Sequence, residues 1–269
     1  MAQDLNVSVE NKESKGVGMF TGIAIIACII VGFLVWAYVL GSASNFNDAE
    51  KHAPKNILGT MYLGGYIVPV LLGFLLMTIT FSVERFIVLS KVSGKGNLDT
   101  FVKNVISSVK SGDVNAALAA CDEQQGSVAN VVKAGLLKSE QVKKDGLDVE
   151  KATDNIAKEI EQATSLEMPM LEKNMTILST LVSIGTLCGL LGTVSGMIKA
   201  FQELGAAGTP DQAALAVGIS EALVNTLTGI ATSTFAIIAY NYFTSKIDTL
   251  TYYIDEAGFA ITQAFNRNK

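Results

Sequence analysis

A single carboxylate stands inside a long apolar stretch near the end of this chain. Glu221 is the only charged residue between Asp211 and Lys246. The stretch is long enough to cross a bilayer, where an ionisable side chain is costly. Such residues usually face the interior of a helix bundle and mark the path of an ion or a proton. The position of Glu221 therefore indicates proton or ion handling within a membrane.

Polar side chains continue along the helical face that carries Glu221. Asn225, Thr228 and Thr232 follow it at steps of four, three and four residues, which a helix aligns into one stripe. Hydroxyl and amide groups could serve only to join helices. A carboxylate in line with them favours a stripe that lines a cavity or a protein-filled pore, with packing alone as the alternative. One stripe is too little to enclose a path, so the pattern implies a homo-oligomeric ring.

The preceding apolar segment carries a face made of small residues. Its members are Gly185, Gly189, Gly192 and Gly196, at steps of four, three and four. Glycines at this spacing let helix backbones approach closely in lipid. We therefore predict that this face packs against neighbouring helices. Thr193 lies beside it and adds a hydroxyl group.

The composition predicts an all-α membrane protein that positions these residues. The chain has 269 residues and is 49% hydrophobic and 17% charged, whereas typical soluble domains are about 25% charged. A net charge of −5 argues against nucleic acid as a partner. The predicted membrane spans are Val17–Leu40, Tyr62–Leu89, Met175–Phe201 and Ala213–Phe243. The short connection QELGAAGTPDQ makes the last two spans an antiparallel hairpin.

The first span has a second interpretation as a signal peptide, because small residues at Gly41–Ser44 resemble a cleavage site. Its apolar run is roughly twice the ~7–15 residues usual for a signal-peptide core. We favour a retained transmembrane helix, and the mature amino terminus decides between the two.

Amphipathic helices are predicted for the polar middle of the chain. One apolar face runs from Phe101 to Val109, Asp113 is placed to cap the next helix, and a third face runs from Val128 to Leu136. A further helix from Val149 has an apolar face that runs from Ala152 through Leu166 to Met170, and it is expected to run into the third span with a kink at Pro169. The tail, Thr244–Lys269, is expected to form another amphipathic helix.

Lysine and arginine bias sets the predicted orientation. It places residues 1–16, the insert of about 90–173 and the tail 246–269 in the cytoplasm. Residues 17–61 then contribute an extra transmembrane helix and an outer loop, and 62–245 form the main membrane domain.

The sequence gives little support for a metal site, a cofactor site or an enzymatic activity. The chain has one histidine, His52, and three cysteines without a C-x-x-C pair, so we predict neither a metal site nor a cofactor. It contains no P-loop and no H-E-x-x-H motif, which leaves ATP without an evident site. We therefore do not expect an enzyme.

Three stretches resemble the MotA/TolQ/ExbB proton-channel family, and its ExbB and TolQ branch most closely. They are GLLGTVSGMIKAF at Gly189–Phe201, ISEALVNTLTGIATSTFAIIAYNYF at Ile219–Phe243, and SGDVNAALAACDEQQGSVANVVKAGL in the polar middle. The resemblance covers roughly residues 60–245.

The resemblance implies a three-span core with a cytoplasmic helical region, assembled as a pentamer in the bacterial inner membrane. The pentamer would surround a small single-span partner, similar to ExbD or TolR, whose aspartate carries the proton. Proton flow would then drive a TonB-like or TolA-like protein. By motif, the family's pore threonines match Thr193 and Thr226, and its intramembrane glutamate matches Glu221.

The chain departs from the family pattern at Gly185-Thr186, which replaces a common Ala-Pro pair, at Ser195, which replaces a bulky residue, and in its extra first span. A TolQ-like subunit for envelope maintenance and a non-conducting membrane scaffold remain as alternatives. A flagellar-type stator fits less well, because the middle of the chain is similar to ExbB. The client system, and proton against sodium, stay open.

Overall fold

The computed structural model describes residues 21–48, 53–206 and 212–267, which are almost entirely helical. Predictions about residues 1–20, His52, the 207–211 turn and residues 268–269 lie outside this part of the chain. The helices are α1 (Thr21–Leu40), α2 (Ile57–Tyr62), α3 (Val68–Val92), α4 (Leu98–Ser111), α5 (Val114–Gln124), α6 (Gly126–Lys144), α7 (Val149–Glu172), α8 (Met175–Ala206) and α9 (Gln212–Arg267).

Within the described residues, four segments are long and apolar enough to cross a membrane, which confirms the predicted all-α membrane fold class. They are Thr21–Leu40, Gly65–Val92, Met175–Gln202 and Leu215–Arg267. The last lies within α9, a single helix of 56 residues. The expected tail helix is thus continuous with the fourth span, because no glycine or proline interrupts the residues between Phe243 and Asp255.

The prediction that the helix from Val149 continues into the third span is wrong. α7 contains Pro169 and ends at Glu172, and α8 begins at Met175. Between them, Lys173 has a ψ of 137° and Asn174 has a φ of +60°. Asparagine tolerates this left-handed conformation and commonly ends helices in it. Asn174 was therefore the residue in the sequence that indicated a break between α7 and α8.

Two compact units can be distinguished. The first combines the described residues up to Ser82 with Thr176–Tyr240, and the second combines Val83–Met175 with the end of α9 from Asn241. The helices α3 and α9 each contribute to both units. The candidate polar residues on α8 and α9 all belong to the first unit.

In the first unit, α1 packs closely on α3. A Cβ atom added to Gly32 would lie 2.6 Å from the Pro69 carbonyl oxygen and 2.7 Å from the Gly73 nitrogen. Only glycine permits this approach, which is the small-residue packing typical of membrane helices. The Trp36 ring stacks on Tyr62 with their centroids 4.8 Å apart. α1 is thus packed against α3 at Gly32 and against α2 at Trp36.

The carbonyl groups at the end of α1 also receive hydrogen bonds from the loop that follows it. The Asn45 side-chain amide donates to the carbonyl oxygens of Val39 at 2.7 Å and Leu40 at 3.0 Å. These carbonyls belong to the last turn, where a helix has no internal donors left. The loop that follows α1 therefore satisfies its carboxyl end.

The second unit has the amphipathic helices predicted for the polar middle. Asp113 caps α5 by accepting a hydrogen bond from the Ala116 backbone nitrogen at 2.9 Å, as expected. The apolar faces are buried, with members Phe101, Val102, Val105, Val109, Val128, Val131, Val132, Leu136, Ala152 and Ile156. Further along α7, however, Leu166 is 76% exposed and Met170 is half exposed. Periodicity alone overestimated the length of the buried face.

A fully buried arginine organises the end of α7. Arg85 has no solvent exposure and donates to the carbonyl oxygens of Met170 at 3.3 Å and Leu171 at 3.2 Å. Its guanidinium also donates twice to the Glu84 carboxylate, each time at 2.7 Å. A cation at a helix carboxyl end is favourable because it meets unpaired carbonyls and the negative end of the dipole.

Candidate functional site

The glycine face of α8 packs against α9 of the same chain. A Cβ atom added to Gly185 would lie 3.3 Å from the Gly229 carbonyl oxygen, and one added to Gly196 would lie 3.0 Å from the Gly218 carbonyl oxygen. Later residues of α8 therefore meet earlier residues of α9, so the two helices are antiparallel. Gly189 lies between these points, with its added Cβ 3.1 Å from the Gly229 Cα atom.

Gly192 makes room for a polar side chain. A Cβ atom at this position would lie 2.4 Å from the Asn225 Cβ and 2.6 Å from its Cγ. The Asn225 amide donates to the Gly64 carbonyl oxygen at 2.9 Å, in the turn between α2 and α3. Its own oxygen, Oδ1, has no hydrogen-bond partner within the described residues.

All four members of the polar stripe, Glu221, Asn225, Thr228 and Thr232, are buried within the chain. The Thr228 hydroxyl donates to the Val224 carbonyl at 2.8 Å, and the Thr232 hydroxyl donates to the Thr228 carbonyl at 2.9 Å. These threonines satisfy their hydroxyl groups within α9 itself. The stripe thus faces the interior of the first unit.

Glu221 is engaged by a lysine that the sequence analysis did not place in the site. Lys199 Nζ lies 2.7 Å from Glu221 Oε1, with the lysine side chain 49% exposed and the glutamate side chain 11% exposed. The antiparallel hairpin provides a signal for this pair, since Lys199 and Glu221 stand at similar sequence distances from residues 207–211, which connect α8 to α9. Charged residues at matching positions in a hairpin are candidates for pairing.

Thr193 and Thr226 form a separate pair at the edge of the α8–α9 contact. Their hydroxyl groups share a short hydrogen bond. Thr193 Oγ1 also lies 3.2 Å from the Gly189 carbonyl oxygen, and Thr226 Oγ1 lies 3.2 Å from the Ala222 carbonyl oxygen. Because each hydroxyl has one proton, one threonine donates to the other, which in turn donates to its own helix. Both threonines are half-buried, unlike the buried stripe.

The surface around this threonine pair is apolar. An open groove of about 540 Å³ begins at Thr193 and is lined by Thr193, Val194, Met197, Ile198, Phe201 and Gln202. On α9, Leu223 and Leu227 flank Thr226 and are 64% and 69% exposed. The two hydroxyl groups thus lie among mostly apolar side chains, on a surface suited to lipid or to another helix.

The structure therefore divides the predicted site residues into two groups. Glu221 and Thr226 are five positions apart on α9, which turns their side chains about 140° from each other. Glu221 faces Lys199 and Gly65, whereas Thr226 faces Thr193, which lines the groove. No group of three or more metal-ligating side chains occurs in the described part of the chain.

Comparisons with known proteins agree with the family resemblance of the sequence motifs in α8 and α9. The sequence profile of the MotA/TolQ/ExbB proton channel family matches residues 123–256, which include Thr193, Glu221 and Thr226. An ExbB-like biopolymer transport protein from Synechocystis is 28% identical over 185 residues, covering 68% of this chain and 82% of the relative.

Of two further relatives, one is a TolQ protein and the other is an ExbB protein. The Tol-Pal system protein TolQ of Pseudomonas aeruginosa is 27% identical over 159 residues, covering 59% of this chain and 69% of the relative. The biopolymer transport protein ExbB of Helicobacter pylori is 41% identical over 81 residues, covering 30% of this chain and 56% of the relative.

Proposed function

Because the chain belongs to the MotA/TolQ/ExbB proton channel family, we propose that it is the ring-forming subunit of an ExbB-type motor. The chain is an ExbB/TolQ-type channel subunit of the bacterial inner membrane. In the proposal, a pentamer surrounds a small single-span partner of the ExbD or TolR kind. The motor transfers the energy of the proton gradient to a TonB-like protein that supports transport at the outer membrane.

The observation that supports this proposal is the threonine pair on the apolar face of the hairpin. The Thr193 and Thr226 hydroxyls are hydrogen-bonded to each other, and the remaining hydroxyl proton is used within a helix. A hydroxyl oxygen has two lone pairs, so each can still accept a hydrogen bond from water or from a partner's helix. On a surface that faces only lipid, these lone pairs would have no hydrogen-bond donor. Around a ring, these pairs would form a polar belt on an apolar wall.

Threonine cannot carry the proton itself, because its hydroxyl does not titrate at neutral pH. Glu221 is directed away from the groove and is paired with Lys199. We therefore assign the titrating carboxylate to the partner's membrane helix. The threonine belt would align water or the partner's carboxylate during transfer.

The orientation in this proposal follows the described basic residues. In a chain that crosses the membrane at each of the four apolar segments, Arg85, Lys91 and Lys95 would lie on the same side as Lys246 and Arg267, and the lysine and arginine bias would make this the inner side. Residues 90–173 and 246–269 are then cytoplasmic, and 62–245 form the channel domain. Each proton that crosses gains about 2.3 kcal/mol per 100 mV of membrane potential, enough for a modest conformational step.

A second candidate is a TolQ-like subunit that maintains the envelope, favoured by the similarity to a protein of the Tol-Pal system. The two differ in the third protein of the complex. Purification of the tagged chain from its own membranes tests the proposal. We expect a multimeric ring together with a small single-span protein that has one carboxylate in its span. Recovery of the chain alone as a monomer would contradict it, and the third protein identifies the client.

A further inference from the structure

Three segments of the first unit meet at the carboxylate of Glu221. α9 supplies the glutamate, α8 supplies Lys199 at 2.7 Å, and the turn before α3 supplies Gly65. A Cβ atom added to Gly65 would lie 2.6 Å from Glu221 Oε1 and 3.8 Å from Lys199 Nζ. The absence of a side chain at Gly65 thus leaves room for the ion pair.

The Gly64–Gly65 turn is held by α9 at two points. The Asn225 amide donates to the Gly64 carbonyl at 2.9 Å, and the Glu221 carboxylate lies against Gly65 one helical turn earlier. Gly65 has a φ of +72°, a conformation that side chains rarely adopt. The turn, α8 and α9 are therefore fixed to each other by a small set of contacts around one carboxylate.

We propose that Lys199 is a positioning residue of the channel, whose ion pair fixes Glu221 against the Gly64–Gly65 turn and keeps this carboxylate out of proton transfer. The inference rests on the proposed function and deepens it. In this proposal, the hairpin has two separate sets of polar contacts. The threonine pair is directed at the partner. The cluster of Lys199, Glu221 and the Gly64–Gly65 turn, here called the lock, sets the spacing of α8, α9 and α3.

The unequal burial of the two partners makes the proposal testable. Lys199 is 49% exposed, whereas Glu221 is 11% exposed. If the lysine is neutralised, a buried carboxylate loses its counter-charge, which is strongly unfavourable. If the glutamate is neutralised, the lysine keeps its access to water. Lys199→Met should therefore be more damaging than Glu221→Gln, and the second change should rescue the first.

The opposite role for Glu221 predicts a different pattern. A proton carrier needs a titratable group, so Glu221→Gln alone would abolish transport, and Lys199→Met/Glu221→Gln would be equally inactive. A lock needs only compatible neighbours. The order of severity among the single and double variants thus separates positioning from proton transfer.

The experiment uses the purified complex of this chain with its single-span partner. Proton flux in liposomes and the thermal midpoint in detergent are measured for Lys199→Met, Glu221→Gln, the double variant and Lys199→Arg. We expect Lys199→Met to lower flux by about tenfold or more and to lower the midpoint, as expected for a charge left unpaired in a buried position. The double variant should return both close to Glu221→Gln, and Lys199→Arg should retain most function.

Lys158→Met is the matched control, because Lys158 forms an exposed pair with Asp154 at 2.7 Å on the surface of α7. It should change neither readout. Wild-type behaviour of Lys199→Met, or an inactive double variant together with an inactive Glu221→Gln, would overturn the inference. Absence of flux in the unmodified complex would refute the proposed function instead. The thermal midpoints would then still test the lock, and additive effects of the two substitutions would refute it.

Discussion

The close contact between Gly192 and Asn225 gives the most direct prediction about the hairpin. In Gly192→Ala, the new Cβ would lie 2.4 Å from the Asn225 Cβ. Carbon atoms in favourable contact are about 3.5–4.0 Å apart, so α8 and α9 must separate locally by about 1 Å or more. This movement also strains the hydrogen bond from Asn225 to Gly64. Since the contact is inside one chain, the variant should damage the protomer before it affects assembly.

The magnitude follows from two contributions. Overpacking of a well-packed interior costs about 1–3 kcal/mol, and loss of the Asn225–Gly64 hydrogen bond costs about 0.5–1.5 kcal/mol. We expect Gly192→Ala to lower the free energy of unfolding by about 2–4 kcal/mol. The assay is denaturant unfolding of the detergent-solubilised chain, combined with native mass measurement of the ring.

Gly22→Ala is the matched control, because no atom lies within 4 Å of a Cβ added to Gly22 in α1. Its helix should be unchanged or stabilised by up to about 1 kcal/mol. In an Asn225→Gly background the clash is removed, so Gly192→Ala should cost much less there. A loss of stability that is equal in both backgrounds would refute the close-contact argument.

Three other predictions concern the remaining parts of the chain. Arg85→Met should lower the free energy of unfolding by about 3–5 kcal/mol, because it leaves the Met170 and Leu171 carbonyls without their donor and the Glu84 carboxylate without its ion-pair partner; wild-type stability in denaturant unfolding would contradict this. Burial, assisted by the neighbouring Asp122 charge, raises the pKa of the Cys121 thiol to about 12. Since the thiolate is the reactive form, alkylation of Cys121 followed by mass spectrometry should still accelerate above pH 10, and a plateau near pH 9 would count against it. Because α1 is fitted to α3, the mature protein should retain Thr21–Leu40, and a new amino terminus near Ser44 by mass spectrometry would identify a signal peptide instead.

Patterns with a local cause were predicted well from the sequence. The four apolar spans follow from length and composition, and the Asp113 cap follows from a side chain that can reach the free backbone nitrogens of the next turn. The glycine spacing on α8 indicated close packing, and the short connection predicted the α8–α9 hairpin, although the spacing alone did not identify α9 as the surface opposite the glycines. Local periodicity describes one helix and not its partner.

Features that depend on distant segments were missed. The ion pair of Lys199 with Glu221 joins two helices, and the fit of Gly32 against Gly73 joins α1 to α3. The extension of α7 into α8 was predicted because both segments are helical, whereas Asn174 in a left-handed conformation separates them. Leu166 shows the same limit, since helical spacing places it in line with buried residues but does not supply a neighbour to cover it.

Proton flux through the complex tests the central claim most directly. The complex of the chain with its single-span partner is reconstituted in liposomes, a membrane potential is imposed, and internal pH is recorded. Thr226→Val removes the hydroxyl that faces Thr193 while keeping the shape, and Thr234→Val is the control, because Thr234 is exposed and donates within α9 to the Ile230 carbonyl at 2.8 Å. The account predicts flux in the unmodified complex and in Thr234→Val, and a marked loss in Thr226→Val with the ring intact. Equal flux in all three would contradict the role of the threonine pair, and no flux in the unmodified complex would favour a non-conducting scaffold.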